Sequence, residues 1–213
     1  VGAKSTGTFG DIGLWSFDPM KIITTGDGGM IYCTDEQILQ RIKYKTYLGL
    51  KSSGASNPVD QKWWEFDIEY PGSKATMNDL SAAIGLEQLK KVDTFISKRK
   101  LIHTAYNNGL KDLEWLDIPP NISNYVTSSY YMYYIQTKSI ENRNKLARYL
   151  RDRGIYTTFR YYPLHWVNYY KPNRFTLPNT EFAANSTLCI PLHQNLSNQD
   201  VEYIINKVKT WKK

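Results

Sequence analysis

Cysteine is nearly absent from this chain: Cys33 and Cys189 are too few and too far apart to suggest a disulfide framework or a zinc site. That scarcity makes a reducing cytoplasm the expected setting, with both thiols acting as small apolar strand residues. No metal-binding cluster is expected. Long apolar runs are missing too: none approaches the roughly 20 residues that a membrane-spanning helix requires, and nothing resembles a signal peptide. There is no internal repeat and no low-complexity tract.

What is present is a basic, aromatic-rich chain of 213 residues with a formal net charge of +7 and 17 tyrosines. That length can bury a real core in one large domain or two small ones. An excess of cations can signal nucleic acid. Here the basic residues are scattered along helices, as in Lys98, Arg99, Lys100 and Arg143, Lys145, Arg148, Arg151, Arg153, which reads as solvated helix faces. Some of the charge could serve an anionic substrate.

The periodicity predicts strands over 8–17 and 29–34, then a helix from Asp35 to about Tyr47 that Gly49 stops. Residues 50–73, with Ser52-Ser53-Gly54 and Asn57-Pro58, read as a long loop; Trp63, Trp64 and Phe66 suggest that it packs over a site or against a partner. From Thr76 or Asn78 a helix is expected to run to about Leu110. Pro119-Pro120 then breaks the pattern and marks entry to a smaller domain, so the chain is expected to divide into 1–117 and 118–213. In the second part a strand is predicted over Tyr130–Thr137, a helix over Glu141–Arg153 and a strand over Ile155–Tyr162, an α/β alternation. Ser197-Asn198-Gln199-Asp200 reads as a capping box that opens a final helix with the stripe Val201, Ile204, Ile205, Val208 and Trp211.

One stretch stands out chemically. Lys21 lies on a turn between two apolar runs, preceded by Trp15, Ser16 and Phe17 and followed by Ile22, Ile23 and the glycine-rich Gly26-Asp27-Gly28-Gly29. An amine can condense with a carbonyl only when partly neutral, which a half-buried site favours. A lysine between two apolar runs is nonetheless most often a solvated turn residue.

The surrounding segments shift that balance. Gly10-Asp11-Ile12-Gly13, Ser16-Phe17, Lys21 and Thr24-Thr25-Gly26-Asp27-Gly28-Gly29 resemble, in order and spacing, the lysine region of pyridoxal-phosphate-dependent nucleotide-sugar aminotransferases of the DegT/StrS family. Pro71 to Leu89, Arg153 to His165, and Ile190-Pro191-Leu192-His193 with Leu196 to Val201 resemble its further signatures, so the resemblance covers essentially the whole chain. Val1-Gly2-Ala3 resembles the segment after the family's Asp-Ala-Ala-His motif, so the chain looks like the C-terminal part of such an enzyme.

The resemblance implies a fold-type-I, aspartate aminotransferase-like α/β architecture: the end of the large domain plus a small α/β domain. It implies pyridoxal 5'-phosphate as cofactor, Lys21 as the Schiff-base lysine that also works as general base and acid, and Ser16 as a phosphate contact. Lys74 matches a position where many relatives carry Asn and others a Lys that reaches the phosphate of the neighbouring subunit's cofactor. Arg160, Tyr161 and His165 fall in the segment that approaches the nucleotide sugar from the second subunit, with Arg160 standing where many relatives have histidine. A histidine packed beside Pro163, Leu164 and Trp166 can also be purely structural; His193 reads as structural, and His103, on the outer part of its helix, as neither.

The implied activity is amino transfer from an amino acid, glutamate being the expected donor, to a nucleoside-diphosphate-linked keto-deoxysugar, in a cytoplasmic homodimer with shared sites, for surface polysaccharide or amino-sugar biosynthesis. Neither nucleic acid nor membrane is expected as a partner. The family's sugar dehydratase branch replaces the lysine with histidine, and Lys21 argues against it. The alternative is a catalytically incomplete fragment that acts as an interaction or sugar-binding module.

Overall fold

The computed structural model describes residues 1–52, 62, 64–170 and 175–211. The chain divides into two compact units, Val1–Val92 and Asp93–Lys213. The division therefore falls before the long connecting helix, which packs with the second unit, and not at 117/118.

In the first unit, β1 (Ile12–Ser16) and β2 (Gly29–Cys33) form an antiparallel pair in which Ser16 faces Gly29 and Ile12 faces Cys33. Strand β1 is shorter than the expected 8–17 because Gly7, with φ of 92°, and the Thr8 N–H to Ser5 O bond turn the chain just before it. Helix α1 (Glu36–Thr46) starts at Asp35, whose carboxylate accepts from the Ile38 N–H at 2.9 Å. It ends through Leu48 and Gly49, both with positive φ. A Cβ at Gly49 would overlap the carbonyl of Tyr70, so only glycine closes this end.

The expected loop over 50–73 is not wholly irregular: β3 (Leu50–Ser52) pairs antiparallel with β4 (Asp67–Ile68). Ser53, Gly54, Asn57, Pro58 and Trp63 lie outside the described residues, while Trp64 and Phe66 are exposed.

The single helix expected from 76 or 78 to 110 is two. Asn78 caps α2 (Asp79–Leu89), accepting from the Ser81 N–H at 2.9 Å, and α3 (Val92–Leu110) follows. At the junction the Lys91 N–H bonds to the Gln88 carbonyl, three residues back, which tightens the last turn and interrupts the ladder. Apolar spacing continues through such a break, so periodicity does not reveal it.

In the second unit, β5 (Leu116–Asp117), β6 (Tyr133–Thr137) and β7 (Thr187–Ile190) form an antiparallel sheet in the order β5-β6-β7. Helices α4 (Ile140–Arg151), α5 (Pro178–Ser186) and α6 (Asn198–Thr210) complete the unit. Its core joins Ile102, Tyr106 and Leu110 of α3, Leu146 and Leu150 of α4, and Val201, Ile204 and Val208 of α6 to the sheet residues Tyr133, Ile135, Leu188 and Ile190. Each fully buried leucine contributes about 1.5–3 kcal/mol. The capping box at Ser197 and Asp200 is formed as the spacing predicts.

Two strand expectations are corrected. Strand β6 begins at Tyr133, not Tyr130, because the carbonyls of Tyr130 and Tyr131 are taken by a side chain instead of a ladder. That side chain is Arg99, whose Nη1 donates to Tyr131 O at 3.0 Å, Leu192 O at 3.1 Å and Tyr130 O at 3.4 Å, while Nε donates to Gln194 Oε1 at 3.1 Å. Residues 155–162 are not a strand either: only Thr158 bridges to Cys189, on the edge of β7.

The solvated-face reading also fails for Arg99, which is 4% exposed, and the outer-helix reading fails for His103, which is 8% exposed and edge-on to Tyr130 and Tyr133. Among the described residues no carboxylate pairs with the buried Arg99; desolvation lowers its pKa, from a value high enough that the guanidinium stays charged. Burial raises the pKa of Tyr106 and Tyr133, whose hydroxyls donate to Pro191 O at 2.7 Å and Asn107 Oδ1 at 2.8 Å.

Replacing Arg99 with Ala is expected to cost the second unit about 3 kcal/mol, because it strands the buried carbonyl of Leu192 and the part-buried carbonyls of Tyr130 and Tyr131, and Lys should recover only part of this. Urea unfolding followed by fluorescence of the Trp115–Trp211 pair reads this directly. Burial also lowers the pKa of His103, so the unfolded state binds its proton first. Stability is therefore full above about pH 6.5 and falls as pH drops through that value towards the lower folded pKa. The same unfolding experiment on His103→Phe should show a flatter curve across that range.

Candidate functional site

Lys21 sits in the connection between β1 and β2, and the backbone there is tightly specified. The Asp18 carboxylate accepts from the Met20 N–H at 2.8 Å, and the Asp18 carbonyl accepts from the Lys21 N–H at 2.9 Å. Phe17 is clamped from both sides: its N–H donates to Gly28 O at 2.9 Å, and its carbonyl accepts the Thr25 N–H at 3.0 Å and the Thr24 hydroxyl at 2.9 Å. Gly28 has φ of 138°, and a Cβ there would press on Thr25 Oγ1 and Met77 Cε. Lys21 is thus a half-buried side chain on a pinned turn.

Ser16 is exposed at the end of β1, and its hydroxyl oxygen accepts weakly from the Asp18 N–H at 3.3 Å. As an acceptor there, the hydroxyl keeps one O–H donor of its own. Thr24 and Thr25, part of the segment whose order and spacing resemble the family's lysine region, hold the turn: the Thr24 hydroxyl and the Thr25 N–H both donate to the Phe17 carbonyl. Lys74, in the same unit, is exposed on a segment held against the end of α1 by Leu48 N–H to Ser73 O, Ser73 N–H to Lys45 O and Ala75 N–H to Thr46 O. A phosphorylated aldehyde requires an amine for its carbonyl, and a hydroxyl and a cation for its phosphate. Lys21, Ser16 and Lys74 are side chains of those chemical types.

Arg160, Tyr161 and His165 belong to the second unit. The Arg160 guanidinium lies beside the exposed Tyr161 ring, 5.8 Å from its centroid, and its pKa is raised chiefly by a hydrogen bond with Tyr161. Thr158 and Cys189, exchanging both backbone hydrogen bonds, fix the segment leading to it. The Cys189 thiol is pushed up by burial, opposed by the smaller effect of Arg160.

The His165 side chain is only 7% exposed, and its Nε2 lies 3.0 Å from Glu181 Oε1, which also accepts the Leu177 N–H at 3.0 Å. That pair ties residues 164–166 to α5, a holding role for the ring. Among the described residues, no cluster of His, Cys, Asp and Glu could hold a metal ion, and no helix is long and apolar enough to cross a membrane.

Comparison with known proteins gives this geometry a class. The aminotransferase TlmJ from Streptoalloteichus hindustanus superposes with a TM-score of 0.89 at 42% identity, over 97% of this chain and 53% of that one. The PMP form of the sugar aminotransferase Spr1654 from Streptococcus pneumoniae does so with a TM-score of 0.86 at 27% identity, over 98% and 54%. The fold is that of about half of a pyridoxal-phosphate enzyme of fold type I.

The DegT/DnrJ/EryC1/StrS aminotransferase family model matches residues 1–209, and the chain belongs to that family, whose members depend on pyridoxal phosphate. Among its relatives, a dTDP-4-dehydro-2,3,6-trideoxy-D-glucose 4-aminotransferase from Saccharopolyspora spinosa is 38% identical over 97% of this chain and 54% of its own length. A GDP-perosamine synthase from Escherichia coli O157:H7 is 33% identical over 96% and 53%. The chain spans about half the length of the curated relatives it matches.

The backbone N–H of Leu177 and His165 hold the Glu181 carboxyl below its usual range. Its contribution to stability is present above the unfolded value of about 4.3 and is lost as pH falls through the lower folded value. Glu181→Gln removes that dependence, so urea midpoints of the variant should change less than wild type between neutral pH and about 3.5.

Proposed function

We propose that this chain carries the lysine-bearing part of an aminotransferase that transfers an amino group from an amino acid, glutamate being the proposed donor, to a keto-deoxysugar linked to a nucleoside diphosphate. The product would feed surface polysaccharide or amino-sugar biosynthesis in the cytoplasm. The observation that carries this reading is Lys21 on its pinned, half-buried turn, with Ser16 five residues earlier, in a chain that matches the family over residues 1–209. Relatives that act on dTDP- and GDP-linked sugars support the substrate class.

Pyridoxal phosphate, when bound, supplies the electron-withdrawing ring that makes a proton on the amine-bearing carbon removable. The rest falls to the protein. Lys21 Nζ would hold the cofactor at its carbonyl carbon, and the freed amine would take and return that proton as general base and acid. A rigid turn suits the task, since the same amine must meet neighbouring atoms in both directions. The Ser16 O–H and the Lys74 ammonium bind phosphate, Lys74 from the partner subunit of a homodimer with shared sites. Arg160 and Tyr161 bind the anionic substrate, and His165 positions that segment through Glu181.

A second reading has its own support. Among the described residues, every buried large apolar side chain lies in the second unit; in the first, Leu14 of β1 and Leu80, Ile84, Leu86 and Leu89 of α2 are exposed. Such faces need covering. On that reading the chain alone is an inert interaction or sugar-binding module.

Adding pyridoxal phosphate to the purified chain separates the two. A visible absorbance band, abolished in Lys21→Ala, is expected if the first unit holds the cofactor unaided; no band in folded wild-type protein favours the inert module. Ser16→Ala should keep the band and raise the cofactor Kd about tenfold, the effect of one hydrogen bond to a charged group.

A further inference from the structure

Helix α2 turns an unusual side inward. Its half-buried positions are Ser81, Ala82, Gly85 and Gln88, which share one face, while Leu80, Ile84, Leu86 and Leu89 are exposed. The covered face is therefore made of small and polar residues. At its centre is Gly85, where a Cβ would lie 2.8 Å from Thr25 Cγ2, well inside van der Waals contact. Gly85 is not among the residues with positive φ, so its backbone conformation does not call for glycine. Within a helix, glycine is also a poorer helix former than alanine. What this position requires is the absence of a side chain.

The residue that needs this space is itself held on several sides. Among the described residues, Thr25 is the one buried non-glycine residue of the first unit. Its N–H donates to the Phe17 carbonyl at 3.0 Å, and its hydroxyl donates to the Asp27 carbonyl. A threonine bonded through its hydroxyl cannot rotate about χ1 without losing that bond, and β-branching leaves it few other rotamers. Its methyl has nowhere to retreat from α2. A side chain added at Gly85 would therefore displace Thr25 as a whole. Through the Phe17 carbonyl the push reaches both neighbours of Phe17: Ser16 at the end of β1, and the Asp18–Lys21 turn.

We propose that Gly85 is a positioning residue for cofactor attachment: its missing side chain sets how closely α2 meets Thr25, and so where Ser16 and Lys21 stand. The inference rests on the reading of Lys21 as the cofactor's anchor. An amine that must reach one carbonyl carbon while a hydroxyl reaches a phosphate tolerates little misplacement. All of these residues lie in the first unit. A purely structural role for Gly85 makes a different prediction, because alanine would then simply improve the helix.

The test is amide hydrogen exchange on the full chain without cofactor, with the pyridoxal phosphate band titrated on the same samples. In Gly85→Ala the amides of Phe17 and Thr25 should exchange about tenfold faster, the effect of one weakened hydrogen bond, while those of α2 exchange no faster than in wild type. Thr25→Ser removes only Cγ2 and keeps the hydroxyl, so the double variant G85A/T25S should regain the protection. The cofactor Kd should rise about tenfold or more in Gly85→Ala and recover in the double variant. A wild-type chain with no band counts against the Lys21 reading alone, since exchange is read without cofactor and still decides the role of Gly85. Four results overturn the proposal: unchanged exchange at Phe17 and Thr25, faster exchange spread through α2 as well, a loss that Thr25→Ser does not repair, or a wild-type band whose Kd Gly85→Ala leaves unchanged.

Discussion

A guanidinium that no carboxylate answers among the described residues sits where the second unit is joined. Arg99 reaches from α3 to the carbonyls of Tyr130, Tyr131 and Leu192 and to the amide of Gln194. Each partner is a neutral oxygen, so the charge is solvated by the protein much as water would solvate it. The strand entering β6 and the segment leaving β7 are thereby fixed to one helix. The start of β6, the burial of His103 between Tyr130 and Tyr133, and the bond from Tyr106 to Pro191 all follow from that junction.

The lysine turn rests on a different principle. Nothing large is buried around it among the described residues; its geometry comes from backbone hydrogen bonds and two threonines that clamp Phe17. A hydrogen-bonded turn can hold one amine in place without a packed core beneath it, but the exposed apolar faces of β1 and α2 show that this unit's stability must come from further contacts. The two units thus contrast: one has a core and an internally solvated charge, the other a specified turn and uncovered apolar surface.

Legibility followed the range of the interactions. The capping box at Ser197, the cap at Asp35, the stop at Gly49 and the stripe of α6 were readable because each is set by residues within one or two turns. Strand lengths were not, because β6 and residues 155–162 are limited by which partner edge is free. Of the site residues, Lys21 and Ser16 are joined by a short local turn, as their spacing implied. His165 is held by Glu181 on another element, a pairing that no local pattern contains.

What the residue order by itself determined is the hairpin that presents Lys21, the helix caps and the family signature that runs along the chain. These depend on φ preferences, side-chain-to-backbone bonds and spacing, all encoded locally. Only the tertiary structure decided that Arg99 and His103 are interior, that His165 is committed to Glu181, and that the connecting helix belongs to the second unit. The physical reason is separation: Arg99 and Leu192 meet across 93 residues, and a side chain's partners at that range are set by packing, which no short stretch of sequence carries.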